Sequence, residues 1–239
     1  MLLGVNIDHV ATLRNARGEA NPNLLEAAKI CLHSGADGLT THLREDRRHI
    51  KDKDVYDIKN NLECKLNLEM AATDEMQYIA LDLMPHACCI VPERRQEVTT
   101  EGGLEVAGNI DYMGRFIKPL NEAGILVSLF ITPDMEQIKA AADIGAPFIE
   151  LHTGAYSLAF GTDKEDFEFI RLKTATEYAQ SLGLTVNAGH GLDYDNVHRM
   201  HEIPGLNELN IGHSIISKAL FVGLNYAVIQ MKNLINKNS

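Results

Sequence analysis

Two histidines and three arginines fall within eight residues at His42-Leu43-Arg44-Glu45-Asp46-Arg47-Arg48-His49, and Arg14 and Arg17 lie in an earlier loop. Five of the ten arginines thus sit in two short stretches of a chain whose formal net charge is -11. Arginine forks grip phosphate or carboxylate bidentately, and an imidazole beside them moves a proton near neutral pH. The run therefore has the makings of an anion-binding, proton-transfer site. Against that stands the plainer reading of a solvated, self-neutralising loop, because Glu45 and Asp46 lie among the arginines.

Three further places carry side chains of suitable type. Glu69 lies in Leu66-Asn67-Leu68-Glu69-Met70, two residues from Asn67, and in an extended chain that spacing turns both side chains to one face. A carboxyl enclosed there must be paired, hydrogen-bonded or protonated, and the same surroundings suit it to general acid or base work. The structural alternative is a carboxylate paired with an arginine such as Arg44. Gly189-His190-Gly191 and Gly212-His213-Ser214 have the composition of turns whose backbone N–H groups approach a phosphate closely, although glycines that only turn the chain would read the same way. HExxH is absent and no set of His and carboxylates stands out, so no metal is expected. Cys31, Cys64, Cys88 and Cys89 lack both CxxC spacing and disulfide density; they read as buried thiols, with Cys88 and Cys89 on opposite faces of a strand.

The elements that must position these groups follow from the hydrophobic period. Apolar runs rich in β-branched residues at 3–7, 38–42, 65–70, 87–91, 125–131, 148–152, 185–188 and 208–211 alternate with amphipathic stretches at 23–33, 52–62, 74–83, 110–123, 135–143, 164–181, 194–201 and 217–236. Several runs are apolar on both faces, as strands covered by helices are. Glycines 35, 124, 145, 183 and 205 stand where helices end, and Thr73-Asp74, Pro133-Asp134, Thr162-Asp163 and Asp193 stand where they begin. Eight strand-then-helix units in 239 residues match one (β/α)₈ TIM barrel with extra short helices. No Ser/Pro/Gly linker divides the chain, so a single domain over 1–239 is expected. A doubly wound sheet is the runner-up, weakened by the lack of GxGxxG after the first run.

In such a barrel the site is built at the C-terminal ends of the strands. Those ends read Asn6-Ile7-Asp8-His9, His42-Leu43-Arg44, Asn67-Leu68-Glu69, Pro92-Glu93, Glu150-Leu151-His152, Asn187-Ala188-Gly189-His190-Gly191 and Asn210-Ile211-Gly212-His213-Ser214, whereas the N-terminal ends show mainly Gly, Ala and Leu. One polar strand end is ordinary; agreement over seven strands points to a site. Two connections exceed what the fold needs. The first, 92–103 with Glu93, Arg94, Arg95, Thr99, Thr100 and Gly102-Gly103, reads as a lid, and the second, 153–163, as holding a short extra helix.

An apolar share of 45% with 23% charged residues is that of an ordinary globular protein. No window approaches the roughly 18 apolar residues of a membrane helix, and the apolar start meets Asp8 too soon for a secretory signal, so a cytoplasmic protein without a membrane partner is expected. The negative balance argues against nucleic-acid binding.

At the level of motifs the chain closely resembles the pyridoxine 5′-phosphate synthase family of vitamin B6 biosynthesis. The residues that carry the resemblance are Asn6-Ile7-Asp8-His9 with Thr12-Leu13-Arg14-Asn15-Ala16-Arg17, the run 42–49, Asn67-Leu68-Glu69-Met70, and the stretches 91–103, 186–191 and 210–213. The resemblance runs nearly end to end. It implies condensation of 1-deoxy-D-xylulose 5-phosphate with 3-amino-2-oxopropyl phosphate, a homo-octamer, and neither metal nor organic cofactor. It implies His42 and Glu69 as proton acceptors, His190 as proton donor and Glu150 as a stabiliser of transition-state charge. It further implies that Asn6, Arg17, Gly191, Gly212 and His213 hold the amino-ketone phosphate, while Asp8, His9, Arg44, His49 and Thr99 hold the deoxyxylulose phosphate. The residues suit that chemistry, because two phosphorylated substrates sharing a cavity repel one another and every step moves protons. Two alternatives are weighed against it: another phosphate-binding barrel isomerase, aldolase or epimerase, which needs one phosphate site, and a non-catalytic metabolite-binding barrel, which has little use for His42, Glu69 and His190 together.

Overall fold

Eight parallel strands close on themselves in chain order: β1 (Leu2–Asn6), β2 (Gly38–His42), β3 (Lys65–Met70), β4 (Ala87–Ile90), β5 (Leu126–Ile131), β6 (Phe148–His152), β7 (Thr185–Gly189) and β8 (Leu206–Ile211). β8 returns to β1 through Leu3↔Leu209 and Val5↔Ile211. The structure, a computed structural model, describes residues 1–93 and 102–236. Outside the barrel run α1 (Asp8–Asn15), α2 (Leu24–His33), α3 (Asp52–Asn61), α4 (Asp74–Leu83), α5 (Ile110–Glu122), α6 (Met135–Asp143), α7 (Gly154–Ala159), α8 (Glu165–Ser181), α9 (His213–Val222) and α10 (Leu224–Ile235). This is the expected TIM barrel. No helix among the described residues is long and apolar enough to cross a membrane.

The alternation of side chains along each strand sorts the two faces. Leu3, Val5, Leu39, Leu68, Ile90, Val127, Leu129 and Ile149 point outward into the layer between sheet and helices and are wholly buried. The inner face differs from the sequence expectation of strands apolar on both sides. Thr40, Asn67, Ser128, Asn187 and Asn210 line the interior, and a cavity of about 300 Å³ at its lower mouth also meets Lys65, His86 and Glu208. Polar groups thus run the length of the barrel rather than appearing only at its upper end. Cys88 and Cys89 do face opposite ways, Cys88 into the outer layer and Cys89 into a small inner cluster with Val91 and Phe130.

Local sequence explains most boundaries. Asn23, Thr73 and Asp134 cap α2, α4 and α6 by accepting from Glu26, Met76, and both Glu136 and Gln137 backbone N–H groups. Four departures have physical causes. α1 occupies residues read as a loop; Asp8 in its first turn and Arg14 in its last complement the helix dipole, and Arg14 reaches Asp54 of α3 at 2.6 Å. The final helix expected over 217–236 begins earlier, at His213, and is split by Gly223 at φ +83°. In place of an α-helix over 194–201 stands a 3₁₀ segment, Val197–Glu202, because Asp193 Oδ1 accepts from the Asp195 and Asn196 amides while Asn196 Oδ1 accepts from that of Asp193. Finally, the helix start expected at Thr162-Asp163 falls at Glu165, because Thr162 caps a turn just ahead of α8, accepting from the Lys164 amide at 3.2 Å; the short helix expected in the 153–163 connection is α7.

Candidate active site

The upper ends of β1 and β2 are tied together by Asp8. Its Oδ1 accepts from the His42 backbone N–H at 2.9 Å and its Oδ2 from the Asn6 amide at 3.0 Å, while its own N–H donates to Asn6 Oδ1 at 2.9 Å. Burial pushes the Asp8 carboxyl up to about 6, against the pull of His42, Asn6 and Arg44. His42 is buried, with Nε2 at 2.8 Å from Glu93 Oε1 and Nδ1 at 4.0 Å from Glu69 Oε2. That second separation is too long for a hydrogen bond, yet one substrate atom placed at the apex of a triangle reaches both groups at ~2.8 Å. The His49 ring lies 6.0 Å from that of His42. Burial first, then the charges of His42 and Arg44, drive His49 down to about 3, so it meets a ligand as a neutral hydrogen-bonding ring; its Nδ1 already accepts from the Ile50 amide at 2.9 Å.

Within the 42–49 run the structure separates two kinds of charge. Asp46 pairs with Arg48 at 2.7 Å, a hydrogen bond that pulls the carboxyl down to about 2, and Arg47 spans Asp52 at 3.0 Å and Glu75 at 2.5 Å. These residues form the loop's own scaffold. Arg44 is buried beside the strand ends, its Nε 3.6 Å from Asp46.

Deeper in the barrel, Glu69 and Glu150 face the interior from β3 and β6. Burial raises Glu69 well above the usual carboxylate range, and the negative charges of Glu150 and Asp8 add to it. Glu150 is pushed up to about 8 by burial, partly offset by the Asn210 amide, which donates to its Oε2 at 2.8 Å. Asn210 Oδ1 in turn accepts from the Thr40 hydroxyl at 2.7 Å, and the Cys89 thiol points at Glu150 from 3.8 Å. The Glu150 carboxyl, held protonated near neutral pH, is able to donate a hydrogen bond to developing negative charge, and the raised Glu69 carboxylate is a stronger base than an ordinary one.

His190 sits in the turn after β7 with φ +82°, a left-handed conformation that is strained for a residue with a Cβ. The buried Thr153 holds it there, its N–H donating to Gly189 O at 2.9 Å and its hydroxyl lying 2.7 Å from Gly189 O and 2.5 Å from His190 O. Below, the His152 ring stacks on that of His190 with centroids 4.9 Å apart, and Phe130 meets His152 edge-on at 5.2 Å. Burial lowers His190 from its ordinary value. In the first turns of α1 and α9, His9 and His213 meet edge to face at 5.1 Å, and Gly212 packs so closely on β1 that a Cβ would lie 2.8 Å from Asn6 Cβ. Gly191 at φ +78° abuts Ser157 of α7.

Asn6, Asp8, His9, His42, Arg44, His49, Glu69, Glu150, His190, Gly191, Gly212 and His213 therefore collect at the upper end of one barrel. Arg17 is not brought in: its side chain is 80% exposed and meets Glu19 at 3.3 Å. Thr99 lies outside the described residues, as does most of the expected lid. Asp8, His42 and Glu69 bring donor atoms within 4.8 Å of one another, the grouping of metal-ion size among the described residues, although three separate strands supply them and no sequence spacing marks it. Both Asp8 oxygens already accept hydrogen bonds, from the His42 N–H and the Asn6 amide. Sequence reasoning missed the parts played by Glu93, Asn210 and Thr153. Glu93 and Asn210 were visible as polar strand ends, but nothing in the sequence names the side chain that each one meets.

Comparison with known proteins places the chain. The family described as "Pyridoxal phosphate biosynthesis protein PdxJ" matches residues 3–237. A pyridoxine 5′-phosphate synthase of Blochmanniella pennsylvanica is 55% identical over 235 residues, covering 98% of this chain and 96% of that protein. Another from Rhodospirillum rubrum is 54% identical over 230 residues, covering 96% and 92%. Among solved structures, thiamine phosphate pyrophosphorylase from Pyrococcus furiosus shares the fold with a TM-score of 0.62 at 14% identity, covering 99% of this chain and 96% of that one. A match from end to end, on a barrel whose acid and base groups gather at one mouth, shows that this chain belongs to the PdxJ family of pyridoxal phosphate biosynthesis proteins.

Proposed function

We propose that this barrel is a condensing transferase that joins 1-deoxy-D-xylulose 5-phosphate to 3-amino-2-oxopropyl phosphate, giving pyridoxine 5′-phosphate, inorganic phosphate and water. The observation that carries the reading is the pairing of His42 and Glu69 across 4.0 Å, in a chain 55% identical over nearly its whole length to a pyridoxine 5′-phosphate synthase. The amine of one substrate forms a Schiff base with the ketone of the other, phosphate and water leave, and the ring closes. Each step needs a proton taken from one atom and given to another. In this reading His42 and Glu69 take protons, His190 supplies one, and Glu150 steadies transient negative charge through the hydrogen bond its protonated carboxyl donates.

The substrate grips are proposals of the same kind. Asn6, Gly191, Gly212 and His213 would take the amino-ketone phosphate, with the α9 N-terminus at His213 favouring its charge. Asp8, His9, Arg44 and His49 would hold the other substrate, joined by Thr99. Arg17 enters only if its exposed side chain reaches a neighbouring copy. The homo-octamer is proposed on the resemblance, supported by Leu13, Leu220 and Phe221, which stand 53%, 69% and 88% exposed. A cytoplasmic setting is proposed on the four free thiols, which a reducing compartment preserves.

Purified protein incubated with both substrates is expected to generate the absorbance of a substituted pyridine, and omission of either substrate is expected to abolish it. Folded protein that gives no absorbance change with both present would overturn the proposal.

A further inference from the structure

Glu93 belongs to no residue set that the resemblance implies, yet it makes the closest side-chain contact recorded for His42. Its Oε1 lies 2.8 Å from His42 Nε2, its side chain is only 4% exposed, and its Oε2 accepts from the Glu45 backbone N–H at 3.1 Å. Burial alone would raise the Glu93 carboxyl, but the hydrogen bonds from His42 and the Glu45 amide, with the charge of Arg44, work against it, and the group is held below its ordinary value. The partner of Nε2 is thus an ionised carboxylate, which has acceptor sites and no proton to give.

A neutral imidazole carries one ring proton, and the hydrogen bond made by one nitrogen decides the state of the other. From this geometry we infer that Glu93 is a positioning residue that fixes His42 as the Nε2–H tautomer, so that the unprotonated Nδ1 is the nitrogen turned toward Glu69 and the substrate. The inference rests on the proposed role of His42 as a proton acceptor and adds the device that makes it one. When Nδ1 takes a proton from substrate, the imidazolium keeps its Nε2–H on Glu93, whose negative charge balances the new positive one. When that proton is handed on, the ring returns to the starting tautomer without rotating. The backbone hydrogen bond from Glu45 ties the same carboxylate to the loop that carries Arg44 and His49, so one side chain aligns the base and the anion-binding run.

A purely structural Glu93 would serve only to anchor that loop, and Glu93→Gln separates the two roles. The glutamine carbonyl still accepts from the Glu45 amide, whereas its NH₂ group can donate to Nε2 and move the ring proton to Nδ1. The variant is expected to keep the wild-type thermal midpoint within a few degrees and the KM of both substrates within about threefold, while kcat falls on the order of 10²- to 10³-fold. Neutron diffraction from wild-type and variant crystals reads the tautomer directly. The expected density is deuterium on His42 Nε2 in the wild type and on Nδ1 in Glu93→Gln. Deuterium on Nδ1 of the wild-type neutral ring would overturn the inference, as would a variant kcat within threefold of wild type or a kcat loss with an unchanged tautomer. Should the wild-type protein turn out to lack the condensation activity, the neutron arm still decides the tautomer, so the two failures are distinguishable.

Discussion

Glu69 shows how much a single side chain owes to its neighbours. Its carboxyl is forced upward by burial and by the charges of Glu150 and Asp8, and it faces His42 across a gap of one substrate atom. Glu69→Gln keeps the shape and removes the titrating oxygen. It should therefore leave the thermal midpoint unchanged or slightly raised, since a carboxyl crowded by Glu150 and Asp8 is replaced by a neutral amide of the same shape, while kcat drops on the order of 10²- to 10⁴-fold. Paired measurement of kcat and thermal midpoint checks this, and a variant with both values unchanged would remove Glu69 from the chemistry. At this scale the sequence was informative about which residues reach the barrel mouth, because residue type and strand-end position are local properties. It was silent on partners. The Glu93–His42 contact joins residues 51 apart and the Asn210–Glu150 contact residues 60 apart, and only closure of the barrel brings them together.

The turns and helices that follow the strands set the orientation of those side chains. β7 runs into a turn whose His190 is held left-handed, and the residue holding it, Thr153, comes from the end of β6. Thr153→Val keeps volume and branching but takes the hydroxyl donor from the His190 carbonyl, while Gly189 O still accepts from the backbone N–H of residue 153. About 1–2 kcal/mol of stability should be lost in denaturant titration, together with a drop in kcat of about tenfold or more, and Thr153→Ser should restore most of both. If Val and Ser behaved alike, the clamp would be unimportant. Element boundaries followed from sequence where a cap or a glycine marks them locally, as at Thr73, Asp134 and Gly145. They were misread where a short segment takes its stability from tertiary partners. α1 has eight residues and is pinned by the Arg14–Asp54 ion pair, and nothing in its hydrophobic pattern announces it.

Taken whole, the molecule is a barrel with a polar interior wrapped in an apolar sleeve, and that arrangement has a pH signature. Glu150 rises from the usual 4.5 to about 8 and Asp8 from 3.8 to about 6, so between those values the unfolded chain binds fewer protons than the folded one and stability falls as pH rises. His49 falls from 6.5 to about 3, so over that window the unfolded chain binds more protons and stability falls as pH drops. Summed over these three groups, stability rises with pH only up to about pH 4 and falls beyond about pH 4.5, so the thermal midpoint of the ligand-free protein should be highest near pH 4, and Glu150→Gln should flatten the decline between pH 6 and 8. Equal slopes for wild type and variant would show that Glu150 titrates normally. The fold class was readable from eight alternations of pattern. The polar interior was not, since an inward Asn67 or Ser128 looks in sequence like any strand residue facing water. The central claim is that one barrel mouth receives two phosphorylated substrates and lets one phosphate go. Phosphorus NMR of a single reaction holding both substrates tests it most directly. Both substrate resonances should decay together while one phosphate ester of the product and one equivalent of inorganic phosphate appear in equal amounts. Decay of only one resonance, or conversion without release of phosphate, would contradict the account.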